Sequence, residues 1–382
     1  MKRVYKSFTP MLIIKSELPP VNTFKEVGNF ASFNCHTTRN IYPLLLFILV
    51  VGCFISCEKD IEFKGTVTDP MLVVNSIFTP DSVVSVHLSQ SRFVLGEMAP
   101  FNPISNATVS VFVNDDLKEQ LSHSEKGIYR GTYLPKPDEN IKIEVIAEGF
   151  NRATSQTRIP KKPGIVINDS TVTVREEEYR NPYQPNTVTK TTSRNMQVQL
   201  KLTDMPNEEN YYFIKASQYF SDNGMLITER TMELKLSEVL KNNITDNGNI
   251  FQDIFGDEGE SDRTDNLFSD LFVDGKDIIF DFSFYDILES VTYVNGEKIN
   301  DGSSSRGELT VEYIIEIGEI SKDMYQYLIS GNKALNAEDY GPFTEPVMIH
   351  TNIENGVGIL GAYSTYRFSS RFKSNYLPYY FP

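Results

Sequence analysis

Short runs of β-branched and aromatic residues recur along most of the chain and constrain its fold more than any other feature. They include 71–78 (MLVVNSIF), 82–88, 107–113, 127–133 and 141–147. Several runs alternate apolar and polar residues, and turns containing Pro, Gly, Asn or Asp separate them. This pattern predicts short antiparallel strands that pack as a sandwich.

A break at 160–164 (PKKPG) predicts a boundary between two domains. We expect 69–160 to form an immunoglobulin-like or transthyretin-like antiparallel sandwich. Strand-like runs resume after the break, for example at 196–202 (MQVQLKL), so 164–382 is expected to form a second β-rich domain with minor helix. The predicted fold class is therefore mainly β.

Helix signals interrupt the strand pattern in two places. The segment 321–336 has Ser321 in position to cap the helix, Asp323 in the first turn and apolar residues at helical spacing. The segment 231–242 is a second candidate. Two polar stretches, 175–193 and 243–266, have little to bury and are predicted to be long loops.

The apolar, uncharged run 42–56 (YPLLLFILVVGCFIS) predicts an export signal. It is shorter than the roughly 20 residues that a membrane-spanning helix needs. Arg39 supplies the positive charge that precedes such a run. Residues 1–38 are interpreted as an upstream extension, so 1–56 together are expected to be absent from the mature protein.

Cys57 is the predicted site of lipid attachment. The sequence FISC at 54–57 resembles a lipobox, in which a peptidase cuts before the cysteine and the thiol carries a diacylglycerol. A competing lipobox ends at Cys53. Cys57 is favoured because 58–60 (EKD) resembles the acidic, lysine-bearing tag that follows the lipidated cysteine of Bacteroidota surface lipoproteins. We expect 57–68 to be an extended tether, and the tag to direct the protein outward.

The composition excludes several classes of function. The net charge is -15, and Lys and Arg form no basic stripe, so nucleic acid is not an expected partner. The three cysteines, at 35, 53 and 57, all precede the strand-like region, which leaves no disulfide framework, zinc site or cysteine nucleophile. We predict no catalytic residue, cofactor or metal site, so an enzyme is the less favoured interpretation.

Histidines and acidic residues give no clear site. His87, His123 and His350 are isolated in sequence, and His87 and His350 are expected to be ordinary surface or half-buried residues. An acidic cluster could offer oxygen ligands to calcium, but it lacks the order of a calcium loop, and a solvated loop is favoured. Its members are Asp253, Asp257, Glu258, Glu260, Asp262 and Asp265.

Several segments together resemble the Bacteroidota lipoprotein family catalogued as domain of unknown function 4249. They are SCEKDIEF at 56–63, LVVNSIFTPDS at 72–82, PISNATVSVF at 103–112, GIYRG at 127–131 and EPVMIHTNIENGVGILGAYS at 345–364. The last segment is the most specific part. Its residues Pro346, Asn352, Asn355, Gly356 and Gly358 are predicted to shape a tight turn, which is a structural role.

The resemblance implies a cell-envelope location and an association with TonB-dependent outer-membrane transporters. The favoured function is a binding or accessory module that a lipid anchors in the outer membrane, facing outward. An envelope hydrolase that uses carboxylates on glycan or peptide is one alternative, and a purely structural surface protein is another. The N-terminal extension and the second candidate cysteine depart from the family pattern.

Overall fold

The computed structural model describes residues 69–92, 101–232, 266–299, 309–339 and 347–374. Cys57, the tag at 58–60 and the acidic cluster at 253–265 therefore lie outside the described residues, as does nearly all of the helix predicted at 231–242. Most of the described residues belong to strands, which confirms the mainly β fold class.

The described residues before the 160–164 break form eight strands. They are β1 (Leu72–Phe78), β2 (Ser85–Gln90), β3 (Thr108–Val113), β4 (Asp116–Gln120), β5 (Ser122–Glu125), β6 (Ile128–Arg130), β7 (Asn140–Ile146) and β8 (Ala153–Arg158). The burial of β1 and β7 alternates residue by residue, as expected for strands with one face toward a core.

The described residues after the break form longer strands and one α-helix. They are β9 (Gly164–Arg180), β10 (Thr187–Thr203), β11 (Tyr211–Asp222), β12 (Met225–Thr231), β13 (Leu267–Ser269), β14 (Asp277–Val294), β15 (Glu297–Ile299), β16 (Leu309–Ile320), α1 (Lys322–Asp339) and β17 (Val357–Lys373). A short 3-10 turn, Asp270–Phe272, follows β13.

A nine-stranded sheet joins the two predicted domains. Its order is β12-β11-β16-β17-β1-β2-β6-β5, with β13 beside β11. The joint is β17, which runs parallel to β1 and antiparallel to β16. Val67–Pro382 forms one compact unit, so the prediction of separate domains at 69–160 and 164–382 is corrected. An interruption of the strand pattern at 160–164 does not prevent a strand later in the sequence from completing the earlier sheet.

Two four-stranded sheets cover one face of the large sheet. The sheet β4-β3-β7-β8 encloses the N-terminal cluster, which includes Val74, Leu88, Val111 and Ile143, and this pairing confirms a sandwich. The sheet β15-β14-β10-β9 encloses the C-terminal cluster, which includes Leu200, Phe280 and Ile315. Along β17, Leu360 belongs to the first cluster and Phe368 packs against the second. Residues an even number apart share a face, so both clusters lie on the same side.

Helix α1 packs on the opposite face. Met324 is buried there with Ile320, and Ile77 and Tyr363 pack against them. The predicted helix is confirmed and ends three residues later than expected. Ser321 precedes it, and its carbonyl accepts the N–H of Tyr325 at 3.0 Å, while its hydroxyl accepts the N–H of Ala362.

The predicted loop at 175–193 is wrong. Strands β9 and β10 form a long hairpin there, and only 181–186 connect them. Nearly every residue of β9 is exposed, so the polar composition reflects a strand with two solvated faces. Lys190 on β10 lies 3.8 Å from both Glu176 and Glu178 on β9, and the backbone ladder supplies the regular structure.

The closing motif has the predicted structural role where the structure describes it. Asn355 and Gly358 have positive φ values of 56° and 115°. The side chain of Asn352 binds the backbone of β17. Its Nδ2 group donates to the carbonyl of Leu360 at 2.9 Å, and its Oδ1 atom accepts the N–H of the same residue at 2.9 Å. A Cβ on Gly358 would lie 2.2 Å from the carbonyl oxygen of Val74, so only glycine allows β17 to approach β1.

Candidate functional site

A cavity of about 550 Å³ lies between one end of the sheet β4-β3-β7-β8 and the large sheet. We call it the seam cavity. Its wall comes from the end of β7–β8, the segment before β11, and the junction of β16 with α1. The lining residues are Asp138, Asn140, Gln156, Thr157, Arg158, Ile159, Pro160, Lys161, Glu208, Glu209, Asn210, Tyr211, Glu319, Ile320, Ser321, Lys322 and Asp323.

Ion pairs neutralise much of the rim. Arg158 pairs with Asp138 at 2.9 Å, Lys161 with Glu208 at 3.4 Å, and Lys322 with Glu209 at 2.7 Å. The Lys322 ammonium and the Tyr211 hydroxyl lower the pKa of Glu209. These pairs are largely exposed, so each contributes little to stability.

Asp323, another carboxylate of the cavity wall, faces a histidine. His350 lies with its Nε2 atom 2.9 Å from Asp323 Oδ1 and donates its backbone N–H to the Ser330 hydroxyl. Both side chains are about one-third exposed. The contact holds the segment before β17 against the first turns of α1.

Glu319 is the acidic group at the floor of the seam cavity. It lies two residues beyond Ile317 on β16, in the same register as the residues of the C-terminal cluster. Its Oε1 atom accepts a hydrogen bond from Asn210 Nδ2 at 3.0 Å. The pKa of Glu319 is raised to about 7, chiefly by burial and also by the nearby carboxylates of Glu208 and Asp204, while Asn210 and Lys161 oppose the rise. The group therefore changes charge near neutral pH.

Two buried polar atoms in the cavity wall have no hydrogen-bond partner among the described residues. They are Thr157 Oγ1 and Asn210 Oδ1, and their residues are 5% and 3% exposed. An unsatisfied buried polar group costs roughly 1–3 kcal/mol. Most buried polar side chains have a hydrogen-bond partner, so two without one in the wall of a single cavity are unusual.

Three carboxylates beside the cavity have the spacing of metal ligands. Asp204, Asp270 and Asp274 each offer an oxygen within 4.8 Å of the others, and they form the one such group among the described residues. Asp204 accepts hydrogen bonds from Tyr212 Oη and the Gly275 N–H, and burial and the neighbouring carboxylates raise the pKa of Asp270.

The other two carboxylates of this trio also bind backbone. Asp270 accepts the N–H of Asn210 at 2.8 Å, and Asp274 accepts the N–H of Asn207 at 2.8 Å. The trio therefore organises the loop before β11 and so positions Asn210 in the cavity wall.

A second buried polar cluster has a structural role. Arg194 donates from Nε and Nη2 to the two carboxylate oxygens of Asp286 at 3.0 and 2.7 Å. Tyr313 donates to the same carboxylate, and the Arg194 guanidinium lies 4.3 Å from the centre of the Phe372 ring. The cluster ties the smaller sheet at β10 and β14 to the large sheet at β16 and β17.

The histidines singled out from sequence do not share one site, because His87 and His123 lie on β2 and β5 and His350 lies in the segment before β17. His87 and His123 are exposed, and His350 is half-buried, which confirms the surface interpretation for His87 and His350. Tyr129, in the strand-like run 127–133, is buried, and its hydroxyl donates to the carbonyl of Ile104, so it is a core residue. Of these, only His350 touches the cavity wall, through Asp323.

Sequence reasoning missed Glu319, Asn210 and Thr157. Glu319 did carry a signal, because a charge occupies the buried register of an alternating strand. Thr157 likewise lies in the buried register of β8 with Ala153 and Ser155. Asn210 carries none, since its position depends on the loop that Asp270 holds.

The family model described as Domain of unknown function (DUF4249) matches residues 58–369. No curated protein matches the chain. Among the described residues, no helix has the length and hydropathy needed to cross a bilayer.

Proposed function

Because the chain belongs to the DUF4249 family, whose function is unknown, we propose a function from the seam cavity and the N-terminal sequence. The protein is a lipid-anchored binding module of the outer membrane that holds a small polar ligand in the seam cavity. Cys57 carries the lipid, and the folded chain faces outward. The apolar run 42–56 followed by the lipobox-like residues supports the anchor.

The observation that carries the binding role is the pair of unpartnered atoms in the cavity wall. A ligand that satisfies Thr157 Oγ1 and Asn210 Oδ1 recovers the cost of their burial. The volume of about 550 Å³ falls within the roughly 300–1,000 Å³ typical of small-molecule sites.

Native mass spectrometry of the full protein purified from its own membranes tests this role. The wild-type protein is expected to carry a discrete small-molecule adduct. Gln156→Trp places a large ring on an exposed residue of the wall, so the adduct should be lost while the fold persists. The control is Lys142→Trp. Lys142 pairs with Gln156 on the neighbouring strand but does not line the cavity, so this variant should keep the adduct. Equal spectra for wild type and Gln156→Trp would contradict the proposal and favour a purely structural surface protein.

We propose a TonB-dependent outer-membrane transporter as the partner, on the strength of the family resemblance. Affinity purification from detergent-solubilised membranes, followed by identification of the co-purifying proteins, is the test. A transporter present in near-equal amount supports the proposal, and recovery of the lipoprotein without any transporter contradicts it.

An envelope hydrolase is the second candidate, and Glu319 favours it. A half-buried carboxyl with a pKa of about 7 suits a general acid at neutral pH. Glu208 and Glu209 supply further carboxylates in the same concave site, although each is paired with a lysine. A Glu319-dependent release of 4-nitrophenol from glycosides by the purified protein would support a hydrolase, and its absence across a broad panel would exclude this class of substrate.

A further inference from the structure

The carboxylates of the seam cavity divide into paired and unpaired groups. Asp138, Glu208, Glu209 and Asp323 each face an arginine, lysine or histidine within 4 Å. In the part of the chain that the structure describes, none of the ion pairs includes Glu319. Glu319 is therefore the carboxylate of this wall that is available to a cation from outside the protein.

The surroundings of Glu319 carry net negative charge. Asp204 from the end of β10 and Glu208 from the segment before β11 both disfavour its ionised form, and Lys161, itself paired with Glu208, is the opposing cation. Tyr212 on β11 is held by Asp204 and adds no positive charge. A positively charged ligand group is the complement of this arrangement.

The unpartnered atoms fit the same chemistry. Asn210 uses its Nδ2 group on Glu319, which leaves Oδ1 as a free acceptor, and Thr157 Oγ1 can also accept. An alkylammonium group has three donors and no acceptor. Both oxygens are closed off from solvent, so the wall has to shift slightly before a ligand reaches them.

We propose that the seam cavity binds the protonated amino group of its ligand, with the Glu319 carboxylate as counter-ion and the side-chain oxygens of Asn210 and Thr157 as further acceptors. This inference rests on the proposed binding function and names the chemical class of the ligand. Binding draws Glu319 into its ionised form. Since the pKa of free Glu319 is about 7, binding near neutral pH releases a proton, and affinity rises as pH increases through that value.

Isothermal titration calorimetry of the full lipoprotein in detergent tests the inference, with cadaverine as the amine probe and 1,5-pentanediol as its uncharged counterpart. Cadaverine is expected to bind, and Glu319→Gln should weaken it by about tenfold or more, because a charge-assisted bond becomes a neutral one. Glu316→Gln is the matched control, since Glu316 lies on the same strand in the opposite register and outside the cavity. Its affinity should equal that of wild type.

Proton release provides a readout that a merely structural role for Glu319 would not change. At pH 7, the apparent binding enthalpy of cadaverine should differ between two buffers of unlike ionisation enthalpy, and Glu319→Gln should abolish the difference. If Glu319→Gln fails to fold, Glu319→Asp keeps the charge one methylene shorter and should retain proton release with weaker affinity.

Three results would overturn the amine assignment. They are equal cadaverine affinity in wild type and Glu319→Gln, binding of 1,5-pentanediol as tight as that of cadaverine, and binding of calcium in place of the amine. None of these results decides the proposed binding function, which is tested by the loss of the adduct in Gln156→Trp. Failure of the amine assignment and failure of the binding function are therefore distinguishable.

Discussion

At the scale of single residues, register determines the chemistry of the seam cavity. Glu319 continues the face of β16 that carries Tyr313, Ile315 and Ile317, which are buried in the C-terminal cluster. Its carboxyl is partly buried, and none of the ion pairs among the described residues includes it. Asn210 is the neighbour that holds it.

The raised pKa of Glu319 predicts a pH-dependent stability. In the unfolded chain the group titrates near 4.5, and in the folded chain it titrates at about 7, so the folded state retains the proton between these values. The contribution of Glu319 to stability is complete below pH 4.5 and is lost as pH rises through 7. Glu319→Gln should therefore raise the Tm at pH 8 and change it little at pH 4.5. A Tm difference that is the same at both pH values would contradict the assignment.

The Arg194–Asp286 pair predicts a large loss of stability on removal of one partner. Their side chains are 7% and 1% exposed, so Asp286→Asn leaves a buried guanidinium without its counter-ion. Such a change costs about 3–5 kcal/mol. Urea unfolding measures it, with Asp281→Asn on the same strand as an exposed control that should change the free energy of unfolding by less than about 1 kcal/mol. Similar losses in both variants would show that the pair has no special role.

At the scale of elements, β17 holds the molecule together. Its first half pairs with β1 and contributes to the N-terminal cluster, and its second half pairs with β16 and packs on the C-terminal cluster. The segment before it also reaches β8, where Thr154 and Glu354 exchange two backbone hydrogen bonds. The floor of the seam cavity depends on this strand, since Ser364 lies beside Glu319 and donates to the carbonyl of Pro160.

Two glycines predict opposite effects of the same substitution. Gly358→Ala adds a Cβ at a φ of 115° and 2.2 Å from the carbonyl oxygen of Val74, so β17 must move away from β1 and stability should fall by more than about 1 kcal/mol. Gly331 lies inside α1 with open space around its Cβ position, so Gly331→Ala should stabilise by about 0.5–1 kcal/mol. Chemical denaturation compares the two, and a neutral Gly358→Ala would show that the close approach is dispensable.

The sequence predicted elements better than it predicted their partners. Alternation identified β1, β2, β3, β6 and β7, and a capping serine identified the start of α1. It could not show that β17 pairs with β1, because the two strands lie far apart in the chain and register is a property of the folded sheet. The part of the hairpin β9–β10 at 175–193 was missed because β9 is exposed on both faces there and has no hydrophobic alternation. Asn210 was missed for a similar reason as the partner of β17, because its place in the cavity wall depends on the assembled loop before β11.

At the scale of the whole molecule, the anchor predicts where the protein is found in cells. Cys57→Ala should release the protein from membranes, because burial of lipid chains contributes about 0.8 kcal/mol per CH₂ group and one cysteine carries the chains. Fractionation of cells that express Cys57→Ala, Cys53→Ala or wild type measures it. Release by Cys53→Ala together with retention of Cys57→Ala would assign the lipid to the other cysteine.

The export tag gives a separate prediction for the whole molecule. Replacement of Glu58, Lys59 and Asp60 by Ala should leave membrane attachment and the Tm unchanged, because these residues precede the folded unit. Digestion by protease added to intact cells with a sealed outer membrane should decrease. Equal digestion of wild type and the triple variant would remove the basis for an outward-directing tag.

The central claim is that the seam cavity is a ligand site, and a high-resolution crystal structure of the protein purified from its own membranes tests it most directly. The account predicts density for a non-protein, non-water molecule in contact with Glu319 and within hydrogen-bond distance of Asn210 Oδ1 or Thr157 Oγ1. A cavity that holds only water molecules bonded to these two atoms would contradict it.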